Sequence, residues 1–279
     1  MMELIRRLER KADVERRNIL MEELHSRNWN FELQSYEFAG QPGCNIILDI
    51  NNLDIKEFIL LVAHYDSFFL SPGANDDASA LAILMDAAEM LRHRNFRRRL
   101  RVVFFDDEEP TVHWRRPVGS SMYVQEFGVH GLVAVIDLEL CGMGDAIGIW
   151  PVEGIEQRPV LQQITAALQE QGIRYDFGRR IPGFYADYLP FRERGFPDAY
   201  CLTAFHWSER QKLQRFAEAS PGLMLLRYFA WRFLRFPTVP KIFQHYHSKL
   251  DRSEFLSEET LRMMSGAVCE IVLRLDRLA

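Results

Sequence analysis

Residues 59 to 80, ILLVAHYDSFFLSPGANDDASA, constrain the chain more than any other stretch. Ile59 to Ala63 is apolar at every position, the pattern of a strand buried on both faces. His64 and Asp66 therefore stand where that strand ends, and Pro72-Gly73 marks the loop beyond it. From Asp77 the period changes. Ala78, Leu81, Ala82, Leu84, Met85, Ala88 and Leu91 recur at helical spacing, which predicts a helix over 77–93 with Asp76 or Asp77 capping its first turn. A strand end, a loop and a helix start form the place where open α/β sheets carry their chemistry. Here that place holds a histidine and three carboxylates.

The rest of the chain supplies partners for this strand. Leu100 to Phe105 is a second apolar strand, so the succession implies parallel neighbours whose ends lie side by side. Asp106-Asp107-Glu108-Glu109 follows it directly, and like charges crowded at a buried strand end need a cation to be tolerated. Leu132 to Leu140 reads as a third buried strand broken by Asp137 and Glu139, which are two apart and share one face. Ionised groups in an apolar strand are costly unless paired or bound to metal.

Further elements are read from pattern alone. Residues 1–28 form an amphipathic helix with Leu4, Ile5, Leu8, Ala12, Val14, Ile19, Leu20 and Leu24 on one face and its arginines solvated. Asn30 to Phe38 and Cys44 to Ile50 pair as strands across the Gly40 to Gly43 turn. Gly119 to Phe127 is a short helix, Gly142 to Trp150 a strand, Gln157 to Gly172 a helix and Ala199 to Ala204 a strand. Residues 208–234 are mostly helical, and a helix capped at Ser257 closes the chain. The expectation is α/β: one domain over residues 1–279, with a mixed, mostly parallel central sheet sandwiched by helices and the 1–28 helix packed on it.

Composition excludes several classes. With 34 basic and 39 acidic residues the net charge is −5, which gives no field that favours nucleic acid. No apolar run reaches the length of a membrane span. The charged N-terminus lacks the apolar run of a signal peptide. The four cysteines Cys44, Cys141, Cys201 and Cys269 show no metal-binding spacing, so reduced thiols and a cytoplasmic location are expected.

The remaining chemistry-bearing residues are His64, Asp66, Asp76, Asp77, Glu108, Glu109, Asp137, Glu139 and His247. Imidazole and carboxylate without thiolate suit zinc, and less specifically manganese or cobalt. A carboxylate such as Asp76 can bridge two ions with its two oxygens. Of two adjacent glutamates, one can sit on metal while the other takes a proton from water.

HYDS, PGANDDASA, VVFFDDEE, GSS, VIDLELCG, DYLPFRERGFP and YHSKLD, in that order over roughly residues 45 to 275, resemble the co-catalytic zinc aminopeptidase family typified by bacterial leucyl aminopeptidase. The resemblance implies a mixed sheet between helices and hydrolysis of N-terminal residues from peptides. It implies zinc, one or two ions with two favoured. His64, Asp76, Glu109 and His247 then match metal ligands, with Asp76 bridging, and Glu108 matches the general base. Asp66 matches the residue that orients His64. Aligning the glycine at Gly142 places Glu139 on the family's ligand aspartate, and Asp137 takes that place in another strand register. Tyr188 stands where the family has histidine after Asp187. Trp114, Tyr185 and Asp187 are candidate substrate contacts, with His113, Phe184, His206 and Trp207 in irregular stretches nearby. The loop PTVHWRRPV after the glutamates is similar to one in the related glutaminyl cyclases. A zinc acyltransferase that cyclises N-terminal glutamine is therefore the alternative, and a non-catalytic binding module of the same fold is a third reading.

Overall fold

The computed structural model describes all residues except 52–53, 111–115, 153–157, 181–183, 221, 224–225, 228–229, 231–238 and 279. At its centre is β3 (Phe58–His64), whose seven residues are all buried. It runs parallel between β4 (Arg99–Phe105), register His64 to Phe105, and β5 (Leu132–Leu138), register Val62 to Asp137. The apolar run forms this strand because only a position with both faces covered makes use of so continuous a hydrophobic sequence.

The other strands extend the sheet on both sides. They are β1 (Glu32–Phe38), β2 (Gln41–Asp49), β6 (Ala146–Trp150), β7 (Arg174–Phe177) and β8 (Ala199–Phe205), and the eight strands lie in the order β1-β2-β4-β3-β5-β8-β6-β7. The pairs joining β4, β3, β5 and β8 are parallel, while β2 and β6 attach antiparallel. This is the mixed sheet that the sequence predicts.

Strand alternation divides the core. Ile59, Leu61 and Ala63 face α1 (Met2–Leu8), α2 (Asp13–Ser26), α3 (Ser79–Leu91), α5 (Pro159–Glu170) and α8 (Glu258–Asp276). Phe58, Leu60 and Val62 face the side covered by α4 (Val118–Phe127), α6 (Leu189–Glu193) and α7 (Arg210–Ala217), where Tyr123, Phe191 and Phe216 pack. Four parallel strands thus end at one edge, beneath helices on both faces. That edge carries the candidate residues.

Four expectations need correction. The 1–28 helix is two helices, because Glu9-Arg10-Lys11 offers nothing to bury and the chain turns at Arg10, φ 61°. Val14 is 58% exposed, whereas Arg16, expected in solvent, is wholly buried. The β1–β2 turn is only Ala39-Gly40, both at positive φ as a two-residue hairpin requires, so Pro42 and Gly43 lie within β2. Neither Asp76 nor Asp77 caps α3: both have non-helical backbone in a single π-type turn over Ala74–Ala78, and the helix begins at Ser79. Strand β7 was not expected, since four residues of mixed burial leave little periodic signal. The Pro221 break and most of the aromatic second half of 208–234 lie outside the described residues.

Leu61 is fully buried in the central strand, so Leu61→Ala is expected to lower stability by about 2–5 kcal/mol. Val14→Ala, at an exposed position, should leave the unfolding free energy within about 0.5 kcal/mol of the parent. Chemical denaturation with an unchanged slope checks both.

Candidate metal centre

Parallel pairing of β3 and β4 brings their ends together, and Asp66 fastens them. Its Oδ1 lies 3.2 Å from His64 Nδ1 and accepts the Glu108 amide at 3.1 Å, while Oδ2 accepts the Glu109 amide at 2.9 Å. One carboxylate therefore orients the His64 ring and sets the direction of both glutamates. The chain turns into that pair through Asp107 at φ 55°.

The turn before α3 is held in the same way from the far end of the sequence. Asp251 accepts the amides of Asn75 at 2.7 Å and Asp76 at 3.2 Å. Asn75 Oδ1 in turn accepts the Gly142 amide at 2.7 Å, and Ser79 Oγ accepts the Cys141 amide at 3.0 Å. These bonds tie the Asp76 turn to the chain leaving β5, where Glu139 stands. A Cβ on Gly142 would lie 2.8 Å from Asn75 Oδ1, so only glycine allows this approach.

Six predicted residues converge on one buried cluster, with Asp66 behind them. His64 Nε2 lies 3.3 Å from Asp76 Oδ1, 3.7 Å from Glu139 Oε2 and 3.9 Å from Glu108 Oε2. His247 Nε2 lies 2.8 Å from Glu109 Oε2 and 3.5 Å from Asp76 Oδ2. His64, Asp76 and Glu139 form one group with donor atoms within 4.8 Å of one another, and Asp76, Glu109 and His247 form a second. A third combination, His64 with Glu108 and Glu109, lies between them.

Asp76 belongs to both outer groups. Yet His64 Nε2, His247 Nε2, Asp76 Oδ2, both Glu109 oxygens and Glu139 Oε1 are buried without a hydrogen bond. Buried polar atoms are ordinarily satisfied. A convergent set that leaves its lone pairs vacant fits a cation bound by nitrogen and oxygen donors.

Electrostatics report the same crowding. Burial pushes the Glu108 and Glu109 carboxyls well above the usual range, with Glu139 raising both further. Burial also disfavours the imidazolium of His64, but Glu139, Asp66 and Asp76 outweigh it and hold its pKa well above the ordinary value. Asp76 is the exception: despite burial, His64 and His247 keep it below the ordinary aspartate value.

Not every candidate joins these groups. Asp137 is buried beside them but accepts the Tyr188 amide at 3.0 Å, so Glu139 rather than Asp137 completes the group with His64 and Asp76. Asp77 is buried with neither oxygen hydrogen-bonded and lies outside all three groups. Asp187, also buried, is pushed up to about 8 by burial, with Glu139 adding to it. His113 and Trp114 lie outside the described residues. Trp207 lies against Arg174 and Arg210, with its amide donating to Asp145, away from the cluster.

The Peptidase family M28 profile matches residues 45–272, most of the chain and every residue of the cluster. The chain belongs to Peptidase family M28. Aminopeptidase YwaD of Bacillus subtilis is 24% identical over 84% of this chain, and YfbL of Escherichia coli, itself uncharacterised, is 23% identical over 70%. In structure, the zinc aminopeptidase BSAP of Bacillus subtilis superposes with TM-score 0.61 at 22% identity over 84% of this chain. Porphyromonas gingivalis glutaminyl cyclase superposes with TM-score 0.72 at 17% identity over all of it. The M28 chain spans 46% of YwaD and 50% of the BSAP chain, but 73% of YfbL and 97% of the cyclase. These structural likenesses concern the fold. Among its described residues no helix is long and apolar enough to cross a membrane.

Beside the cluster, this M28 chain has a cavity of about 80 Å³ that Glu139 borders. Trp150, Phe184, Tyr188, Phe243 and Tyr246 give it an aromatic wall, Tyr185 adds to the lining, and Arg179 and Arg180 stand at its border. His247 is sandwiched between Tyr246, ring centroids 3.7 Å apart, and Phe68, 3.9 Å apart. Sequence reasoning passed over Phe68, Asn75, Ser79 and Asp251, although Asp251 lay in plain view within YHSKLD.

The metal-free chain has a pH dependence of definite sign. Burial raises Asp106 and Asp251 to about 7, Asp107 to about 6 and Asp187 to about 8, all from 3.8. The folded chain therefore holds more protons than the unfolded one from about pH 4 up to those values, and stability falls as pH rises through that window. Asp76, His245 and His247 act oppositely but are outnumbered. The melting temperature in chelator is expected to be lower at pH 8 than at pH 5, with added zinc reversing most of the loss. A rise towards pH 8 in chelator would contradict this.

Proposed function

We propose that this chain is a zinc-dependent aminopeptidase whose two ions occupy the groups that share Asp76. The observation that carries the reading is the pair of overlapping donor sets with vacant lone pairs. His64, Asp76 and Glu139 would hold one ion, and Asp76, Glu109 and His247 the other. Zinc held by these residues would supply a Lewis acid for the scissile carbonyl and would lower the pKa of a bound water to about 7.

The protein's own groups do the rest. Glu108 belongs to neither of the two sets, and its Oε2 lies 3.9 Å from His64 Nε2. It is placed to take the proton of the attacking water and pass it to the leaving amine. Asp66 fixes its direction by accepting the Glu108 amide, so base and ligand are set by one carboxylate. The aromatic cavity beside Glu139 takes the side chain of the N-terminal residue and keeps water from it. The family supports the peptide class, and likeness to the aminopeptidase YwaD supports the aminopeptidase reading.

The glutaminyl cyclase reading rests on the sequence of the PTVHWRRPV loop and requires only one ion. The cyclases share nearly all the ligands, so the peptidase is favoured instead by the stretch DDASA, by Tyr246 in place of a tryptophan before His247, and by the aminopeptidase relative YwaD. Amino-acyl p-nitroanilides assayed beside glutaminyl peptides separate the two. Release of free amino acids is expected, and Glu108→Gln should lower kcat by about 10²–10⁴-fold while zinc content stays unchanged. Pyroglutamate formation without amino-acid release would overturn the proposal.

A further inference from the structure

Residues 1–44 precede the family match, yet a short segment among them grips the loops that carry the metal-centre residues. Asp13 Oδ1 accepts the Ser67 amide at 3.1 Å, next to Asp66. The Arg10 amide donates to Pro72 O at 2.8 Å. Glu9 Oε2 accepts from Ser253 at both its amide, 3.3 Å, and its hydroxyl, 2.6 Å, just past Asp251. The N-terminal segment thus touches both the loop leading to Asp76 and the loop that holds Asp76 in place.

Arg16 reaches furthest in. Its guanidinium is wholly buried, and Nη1 and Nη2 both lie 3.3 Å from the carbonyl oxygen of Gly73, three residues before Asp76. Gly73 has φ 68°, and a Cβ there would stand 2.3 Å from Arg16 Nη1. The backbone has room for the guanidinium only because the residue is glycine. Asp13, Asp66, Asp77 and Asp251 are the anions whose fields act on Arg16. A buried cation with a planar two-pronged donor on one carbonyl is a strong constraint on where that carbonyl sits.

We propose that Arg16 is a positioning residue for the metal centre: by clamping the Gly73 carbonyl it fixes the turn that presents Asp76 to His64 and His247. This rests on the zinc assignment made above. Its sign separates it from a plain charge effect. A cation near the site repels zinc, so if only its charge mattered, removing Arg16 would tighten binding. If it positions Asp76, removing it loosens binding even though a repelling charge is gone.

The test is zinc affinity, measured by competition with a chromophoric chelator on the full chain, with folding followed by circular dichroism. Arg16→Met and Arg16→Lys are both expected to weaken zinc binding by about 10–100-fold, the range for groups that orient metal ligands. The lysine keeps the charge but not the fork. Leu20→Ala, a fully buried α2 position, destabilises the same helix and should leave zinc affinity within about 2-fold of the parent. Should Arg16→Met not fold, Arg16→Lys carries the test alone. Parental or tighter zinc binding by a folded Arg16 variant overturns the proposal while the zinc assignment stands. A parent chain that takes up no zinc overturns both.

Discussion

The two amides that Asp66 accepts join the end of β3 to the loop after β4, and the cluster depends on that junction. The sheet delivers His64 and Phe105 side by side through parallel register. Nothing in the sheet itself decides where Glu108 and Glu109 point. One buried carboxylate, accepting both amides and contacting His64, converts adjacency of strand ends into a fixed arrangement of three side chains. Asp251 repeats the device for Asp76. Asp76, Glu108 and Glu109 are therefore each steered by another carboxylate that grips the backbone amide.

This construction concentrates negative charge where water cannot reach. Isolated buried carboxylates neutralise or find a partner, and here burial and mutual repulsion lift Glu108, Glu109, Asp77 and Asp137 well above the ordinary range. The two histidines and Arg16 are too few to balance them. On the reading proposed above, a pair of divalent ions would restore the balance and satisfy the lone pairs of the donor sets together. The Tyr246–His247–Phe68 stack holds the His247 ring between two aromatic faces. Tyr246 also walls the cavity bordered by Glu139, so that cavity and the metal centre share a boundary.

Much of this was legible because the chain writes it with strong signals. A strand buried on both faces announces itself by an unbroken apolar run, and charges at its end have few structural excuses. Residue type and position put His64, Asp76, Glu108, Glu109, Glu139 and His247 among nine candidates, and the family resemblance singled them out from Asp77 and Asp137. What the sequence hid were relations across long separations. Asp251 grips Asp76 from 175 residues away, and no local pattern records that bond. Arg16 looked solvated because its neighbours are charged, yet it reaches beneath a loop whose glycine leaves it space. The choice between Asp137 and Glu139 turned on where β5 ends: Asp137 is taken up by the Tyr188 amide, and Glu139, one residue past the strand, is left facing His64.

Two donor sets sharing Asp76 are proposed to hold one ion each. Zinc stoichiometry on the purified chain after equilibrium dialysis tests this proposal most directly, with His64→Ala and His247→Ala beside the parent. Two zinc ions per parent chain and one in each variant are expected, because each histidine belongs to only one of the two sets. A parent chain that binds a single ion, retained in one histidine variant and lost in the other, would contradict it.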